Sequence, residues 1–92
     1  MNLLKAAPGV RAGQILGIRP EHLSYDDDGW SVQVESVELL GAERLIYGRI
    51  GEEQIIMRAD EQHGAPAVGD TVRMAARKDR LHWFDAASGK RI

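Results

Sequence analysis

The sequence predicts an all-β domain of six or seven short strands, folded as a barrel or a barrel-like sandwich. Apolar and polar residues alternate over short stretches, most clearly in residues 30–34, and turn residues separate these stretches. No segment keeps a helical period over ten or more residues. With 92 residues, the chain forms one domain, and surface scaling predicts that about two thirds of its surface is buried on folding.

The first part of the chain carries one short strand. Residues 1–13 are rich in alanine, glycine and proline, and we interpret them as a linker or poorly ordered arm before a β domain over residues 14–92. Residues 14–18 form a strand that stops before Pro20, because proline has no N–H to donate to a strand ladder. Pro20–His22 then forms one tight helical turn, and residues 25–29 form a polar loop.

Residues 30–40 carry the strongest strand signal. Trp30, Val32 and Val34 alternate with polar residues, but the next apolar residue, Val37, follows after three positions instead of two. Because the side-chain period of a strand is two, this slip predicts a β-bulge or sharp bend near residues 35–36. Long bent strands of this kind are what small closed barrels need.

The remaining chain alternates short strands with turns. Strands are predicted at residues 44–50, 54–59, 71–77 and 80–85, with loops or turns at 51–53, 60–67, 66–70 and 86–89. The predicted core consists of apolar residues that face one side of these strands, namely Trp30, Val32, Val34, Val37, Ile46, Ile55 or Ile56, Val72, Met74, Leu81 and Trp83.

Composition restricts the partners of the chain. The formal net charge is −2, whereas nucleic-acid-binding domains usually present a strongly basic face. The chain has no cysteine, which excludes disulfides and thiolate metal sites and fits a reducing cytoplasm. No apolar run is long enough to span a bilayer, and residues 1–5 lack a signal-peptide pattern. We therefore expect no nucleic-acid partner and no direct insertion into a membrane.

The sequence predicts no catalytic, cofactor-binding or metal site. His22, His63 and His82 lack the spacing of metal ligands, and residues 26–29 lack the spaced ligands and distal glutamate of a calcium loop. The glycines fall singly at turns and form no phosphate-binding loop, and no serine stands in a Gly-x-Ser-x-Gly turn. We expect this chain to have no enzyme activity and no cofactor.

Basic residues near the end of the chain allow two interpretations. They lie close to Trp83 and Phe84 and comprise Arg73, Arg77, Lys78, Arg80, Lys90 and Arg91. Basic residues beside aromatic ones are typical of oligonucleotide-binding barrels, in which bases stack on the aromatic rings. Alternatively, the charges form a solvated outer face and the aromatic residues lie in the core. We favour the second interpretation, because a small core needs the five aromatic residues that the chain has.

Five short motifs follow one another along residues 14–92. They read Leu-Gly-Ile-Arg-Pro-Glu-His-Leu at 16–23, Val-Glu-Leu-Leu-Gly-Ala-Glu at 37–43, Pro-Ala-Val-Gly-Asp at 66–70, Arg-Leu-His-Trp-Phe-Asp at 80–85 and Ser-Gly-Lys-Arg at 88–91. In this order they resemble the TOBE (transport-associated oligonucleotide/oligosaccharide-binding-like) domain, the C-terminal regulatory domain in the ATP-binding subunits of ABC importers for sugars and glycerol phosphate. Residues 39–49 look most like the glycerol-3-phosphate branch.

The resemblance implies a fold, a set of motif residues and a function. The fold would be a small OB-like barrel. The implied function is that of a non-catalytic regulatory module that holds two ATP-binding subunits together and docks regulatory proteins at the cytoplasmic face of the cell membrane. The ATPase domain of the parent chain would be a direct partner, and the membrane permease subunits indirect ones. An independent OB-like barrel that binds a small ligand or an oxyanion is the alternative. The family's motif positions, with a structural or regulatory role, fall on Arg19, Pro20, Glu21, His22, Gly41, Glu43, His82 and Phe84.

The start of the chain departs from the family pattern. Residues 1–4 are similar to the family's first motif, but family members carry one or two further strands before the Arg-Pro-Glu-His segment, and here only residues 5–14 intervene. That length is too short for two strands and a turn, so we expect a barrel that is incomplete or open at one edge. Because exposed edges pair with other chains, we expect a homodimer, with exchange of residues 1–14 between copies as one form of it.

Overall fold

The computed structural model describes residues 1–60 and 65–92. Within these residues the chain is all-β, as the sequence predicts, and its strands form two antiparallel sheets in the orders β1-β2-β7 and β5-β4-β3-β6. Single turns of 3₁₀ helix, Pro20–His22 and Lys78–Arg80, precede β3 and β7. The strands are β1 (Asn2–Leu4), β2 (Gln14–Ile18), β3 (Leu23–Leu40), β4 (Glu43–Ile50), β5 (Glu53–Asp60), β6 (Thr71–Ala76) and β7 (His82–Asp85).

Strand β3 is long and bends at two places. Its register with β4 shifts between Val34 and Ser36, which confirms the bulge predicted from the slip in the apolar pattern. A second irregularity lies where Tyr25 and Trp30 are both opposite Met74 of β6. The prediction of a loop at residues 25–29 is therefore wrong. The acidic residues form a bulge within one strand, because pairing with β6 resumes on both sides of them.

Two-residue turns join β3 to β4 and β4 to β5. In the second turn Ile50 is opposite Glu53, so the predicted loop at 51–53 is one residue shorter than expected. Gly41 and Gly51 each stand first in their turn, with φ of +62° and +60°. Glycine adopts this backbone region without strain, and two-residue hairpin turns commonly require it.

The N-terminal segment is part of the fold, which corrects its interpretation as a linker or poorly ordered arm. Residues Asn2–Leu4 pair with β2, with Leu4 opposite Leu16. Leu4 is fully buried and Ala7 is 2% exposed. A strand of three residues is too short to show a period, so the sequence gives no sign of it. Burial of apolar side chains against β2 orders the segment.

The Asn2 side chain joins the two sheets at one seam. Its Nδ2 donates to the Ile56 carbonyl oxygen of β5 at 2.8 Å, and the Ile56 N–H donates to its Oδ1 at 2.8 Å. The amide thus replaces a backbone partner between β1 and β5. Nearby, the Glu53 carboxylate accepts the N–H groups of Lys5 and Ala6 at 2.7 and 2.6 Å. We call the pair of Asn2 hydrogen bonds the Asn2 clip.

The core lies between the two sheets. Of the predicted core, Val32, Val34, Ile46, Ile55 and Met74 are buried, and Ile55 rather than Ile56 is the core residue of that pair. Trp30, Val37, Val72, Leu81 and Trp83 are half-buried and pack against the core. The buried residues that the prediction missed come mainly from β1, β2 and the segments beside them: Leu4, Ala7, Leu16, Ile18, Leu23 and Met57.

The barrel is open at the seam between β6 and β7. In the described part of the chain β6 pairs only with β3, and the free edge of β7 carries the short segment 90–92 instead, with Ile92 N–H donating to the Trp83 carbonyl at 2.8 Å. The accessible surface of 5908 Å² exceeds the roughly 5,300 Å² typical of a compact 10.2 kDa protein. The expectation of an open edge is confirmed.

Candidate functional site

The motif residues Arg19, Pro20 and His22 build the 3₁₀ turn between β2 and β3. Proline fits the first helical position because its fixed φ suits the turn and its missing N–H is not needed there. The His22 N–H donates to the Arg19 carbonyl at 3.0 Å, and the His22 carbonyl accepts the Arg77 N–H at 2.9 Å. Main-chain atoms of His22 therefore close the turn. Its buried side-chain Nδ1 has no hydrogen-bond partner.

Arg58 of β5 connects the motif at the 3₁₀ turn with the motif at the β3–β4 hairpin. Its Nε lies 3.2 Å from Oε2 of Glu43, with both side chains about half exposed. The pKa of Glu21 lies below its ordinary value, chiefly because its own backbone N–H stabilises the carboxylate, and His22, Arg19 and Arg58 add to the effect. An exposed ion pair of this kind contributes little stability.

His82 and Phe84 lie on the outer face of the three-stranded sheet. Their strand partners are Gly17 and Ile15, and side chains of directly opposed residues share a face. A Cβ added at Gly17 would lie 2.6 Å from Met1 Sδ and 2.9 Å from Phe84 Cε2, so these two side chains cover Gly17. The outer face therefore has an apolar centre made by Met1, Ile15 and Phe84.

Cationic groups surround this apolar centre. The pKa of His82 lies below its ordinary value, first because of burial and then because of the charges of Arg91, Arg19 and His22. Arg91 is the bridge partner of Phe84. No described residue forms a salt bridge or side-chain hydrogen bond with Arg19 or Arg91. We call this surface, with Leu3 of β1, the basic face. Arg91 therefore has no ion-pair partner in the described chain, whereas Arg19 lies near enough to Glu21 to lower the pKa of that carboxyl.

The basic residues that the sequence groups together have different surroundings in the structure. Arg77 lies 3.2 Å and Arg80 3.9 Å from the same Asp79 carboxylate oxygen, while Arg91 belongs to the basic face. Trp83 packs against the core, as favoured above. Phe84 does not, because it alternates with Trp83 and faces outward.

The open seam forms a second candidate site, a groove of about 700 Å³. This volume is within the usual range of ligand pockets. Its walls are mostly apolar, and Trp30 in the groove donates its indole N–H to the Pro8 carbonyl at 3.0 Å. Polar groups are few and belong to Asp28, Ser31 and Arg73. The apolar lining includes Leu16, Trp30, Ile50, Met74, Leu81 and Trp83.

The predictions about metals and membranes meet limited tests. In residues 1–60 and 65–92, no three His, Asp or Glu side chains lie close enough together to hold a metal ion; His63 lies outside the described residues. The described part of the chain also has no helix with the length and apolar character needed to cross a membrane.

The structure brings Arg19, His22, His82 and Phe84 to one side of the domain, whereas Gly41 and Glu43 lie at the β3–β4 hairpin. A regulatory role for all of these residues stays a prediction. Sequence reasoning missed Arg58 and Leu3 at these surfaces. The alternation within β5 is the signal for Arg58, and it does not reveal which strands meet; β1, which carries Leu3, is too short to show a period.

The two sheets define an all-β domain with an open OB-like fold. A comparison with protein-family models matches residues 16–84 to the TOBE domain. The chain belongs to this family.

Curated relatives carry the same domain within longer chains. The sn-glycerol-3-phosphate import ATP-binding protein of Bordetella pertussis is 37% identical over 82 residues, which cover 85% of this chain and 23% of the relative. The proteins of the same name from Paraburkholderia xenovorans and Escherichia coli K12 are 43% and 36% identical, over 83% and 84% of this chain and 22% of each relative. The chain thus spans about a quarter of the length of the relatives it matches.

Proposed function

We propose that this domain is the non-catalytic regulatory and dimerisation module of the ATP-binding subunit of an ABC importer for sn-glycerol 3-phosphate or a sugar. It holds two subunits together and offers a docking surface to regulatory proteins. The parent subunit works in the cytoplasm, at the inner face of the cell membrane, beside the permease subunits. The ATPase domain of the same parent chain is its closest partner.

The family match over residues 16–84 carries this proposal. The relatives are named as import ATP-binding proteins and match over 83–85% of the chain, so the shared region is the domain itself. The basic face and the β3–β4 hairpin supply exposed surface for association, and no described residue forms a salt bridge with Arg91.

A persistent contact between two such modules would act through effective concentration. While the ATPase domains separate after each cycle, the paired regulatory domains keep them near each other, and the next closure becomes an intramolecular step. The module needs no chemistry of its own for this role. Substrate selection then belongs to other subunits of the transporter.

Sedimentation equilibrium of the chain tests the dimerisation directly. With rising concentration up to about 100 µM, a range that detects weak association, the mass is expected to rise from 10.2 kDa toward twice that value. A mass that stays at 10.2 kDa throughout would contradict the dimerisation role.

The groove at the open seam favours a second candidate function, that of an independent barrel binding a small ligand or an oxyanion. A ligand that binds only the folded state raises the melting temperature with concentration. The regulatory proposal expects no such rise with sn-glycerol 3-phosphate, phosphate or sulfate. A saturable rise with one of them would favour the ligand-binding function.

A further inference from the structure

Two surfaces of the described chain combine exposed apolar side chains with charge of opposite sign, while Val68 and Ile92 are exposed elsewhere. One surface is the basic face, where Met1 is 55% and Leu3 56% exposed. The other is the outer face of the β3–β4 hairpin tip, where Leu40 is 42% exposed beside its strand partner Glu43, while Leu39 points to the opposite face with Arg44. Large apolar side chains that stay exposed together mark interaction sites more often than single ones do.

The hairpin tip is acidic. Glu38 accepts a hydrogen bond from the Tyr47 hydroxyl at 3.1 Å and has no cationic partner in the described residues. Glu43 adds a second carboxylate, which Arg58 partly offsets. We call Glu38, Leu40 and Glu43, which share the outer face of the hairpin, the acidic tip. The tip protrudes because β6 pairs with β3 only up to Gln33, so the end of β3 that carries the tip pairs with β4 alone.

We propose that the basic face of one copy binds the acidic tip of a second copy, in a two-fold dimer that forms this contact twice. The apolar side chains, Met1 and Leu3 on one side and Leu40 on the other, then leave water together. The carboxylate of Glu38 meets a face on which Arg91 has no ion-pair partner among the described residues, so complementary charge selects the partner. This proposal rests on the dimerisation role proposed above and assigns it a surface.

The acidic bulge at residues 26–28 is the competing acidic surface. It carries three carboxylates but no exposed apolar residue, since the neighbouring Tyr25 and Trp30 pack against the core. The basic face has an apolar centre surrounded by cationic groups, so a partner that is both apolar and acidic binds it more favourably than one that is only acidic. The hairpin tip meets both conditions and the bulge meets one.

The size of the patches sets the strength of the contact. Three strands about 4.8 Å apart and four residues of about 3.4 Å each give a patch of roughly 200 Å². A two-fold dimer covers four such patches, or about 800 Å², which is the range of weak and transient interfaces. The dimer is therefore expected to dissociate in the micromolar range.

Charge reversal with a mixing experiment tests the contact. Arg91→Glu and Glu38→Arg are each expected to weaken self-association of the chain at least about tenfold, whereas their equimolar mixture recovers it to within about threefold. In the mixture one contact is native and the other carries both reversed charges. Arg73→Glu and Asp27→Arg are matched controls, because these exposed residues form no ion pair with a described residue and lie outside both patches.

The outcomes separate this proposal from the dimerisation role. A native dimer that Arg91→Glu and Glu38→Arg weaken no more than the controls overturns the assigned surface and leaves the dimerisation role standing. Single variants that weaken the dimer without recovery on mixing also overturn it, since the two patches then do not face each other. A native chain that stays monomeric refutes the dimerisation role itself. Melting curves of each variant establish that it is folded.

Discussion

Replacement of Asn2 by leucine tests whether one side chain holds the two sheets together. Leucine has a similar size but leaves the Ile56 N–H and carbonyl, which now make 2.8 Å bonds to the amide, without partners. Asn2 is only 6% exposed, so water does not easily replace it. Each unsatisfied buried group costs about 1–3 kcal/mol. Because the two Ile56 groups are only partly buried, we expect Asn2→Leu to lower the free energy of unfolding by about 2–4 kcal/mol, the lower part of their summed cost.

That loss is large for this domain. Stabilities of about 0.05–0.15 kcal/mol per residue give roughly 5–14 kcal/mol for 92 residues, and one kcal/mol shifts the melting temperature of such a domain by about 4–8 °C. Thermal unfolding, followed by tryptophan fluorescence, should therefore show a melting temperature that is lower by about 10–30 °C. Urea unfolding should show the corresponding loss of free energy. Gln54→Leu, an amide-to-leucine change at an exposed position of β5, is the matched control. If Asn2→Leu loses no more stability than Gln54→Leu, the clip does not hold the seam.

Three further predictions concern the core, the nucleotide and acid stability. Val34→Asp should leave the chain unfolded by circular dichroism, because Val34 is 1% exposed and an unpaired buried charge costs several kcal/mol; an unchanged melting curve would refute this. The chain should show no saturable ATP binding in calorimetry at millimolar nucleotide, since it has no phosphate-binding loop. The pKa of His82 is lowered in the folded chain, first by burial and then by the charges of Arg91, Arg19 and His22. As the pH falls, the His82 side chain is therefore protonated in the unfolded chain before it is protonated in the folded one. Its stabilising contribution is present above about pH 6.5 and is lost as the pH falls through the lowered folded pKa. His82→Gln should flatten the pH dependence of urea unfolding between about pH 7.5 and 5, and an unchanged slope would contradict this assignment.

The parts of the fold that follow a local pattern were predictable from the sequence. The three-residue step from Val34 to Val37 predicts the bulge in β3, and proline at position 20 predicts the end of β2 and the tight turn that follows. The sequence of residues 25–29 predicts a loop, because acidic residues and glycine indicate exposure and cannot show that strand pairing resumes beyond them. The strand β1 has too few residues for any period, and its order depends on Leu16 and Ile56, far along the chain.

The candidate surfaces were predictable only as separate segments. Motif resemblance marked Arg19, His22, His82 and Phe84, but their common position results from the pairing of Gly17 with His82, which no local pattern encodes. The ion pair of Arg58 with Glu43 likewise depends on strand pairing that no local pattern encodes. Long-range register decides which side chains meet, and the sequence reveals each strand's alternation without revealing its neighbours.

The bulge in β3 has a consequence for engineering the domain. Tyr25 and Trp30 both lie opposite Met74, so the residues between them do not set the register of the sheet. Within the bulge the described side-chain bond is local, from the Asp28 N–H to Asp26 Oδ1 at 2.9 Å. Gly29 must stay, because a Cβ there would collide with the peptide that joins Met74 to the next residue. Since doubling the length of a loop costs only about 0.6 kcal/mol, an epitope or a fluorescent reporter inserted after Asp27 leaves every core residue facing inward.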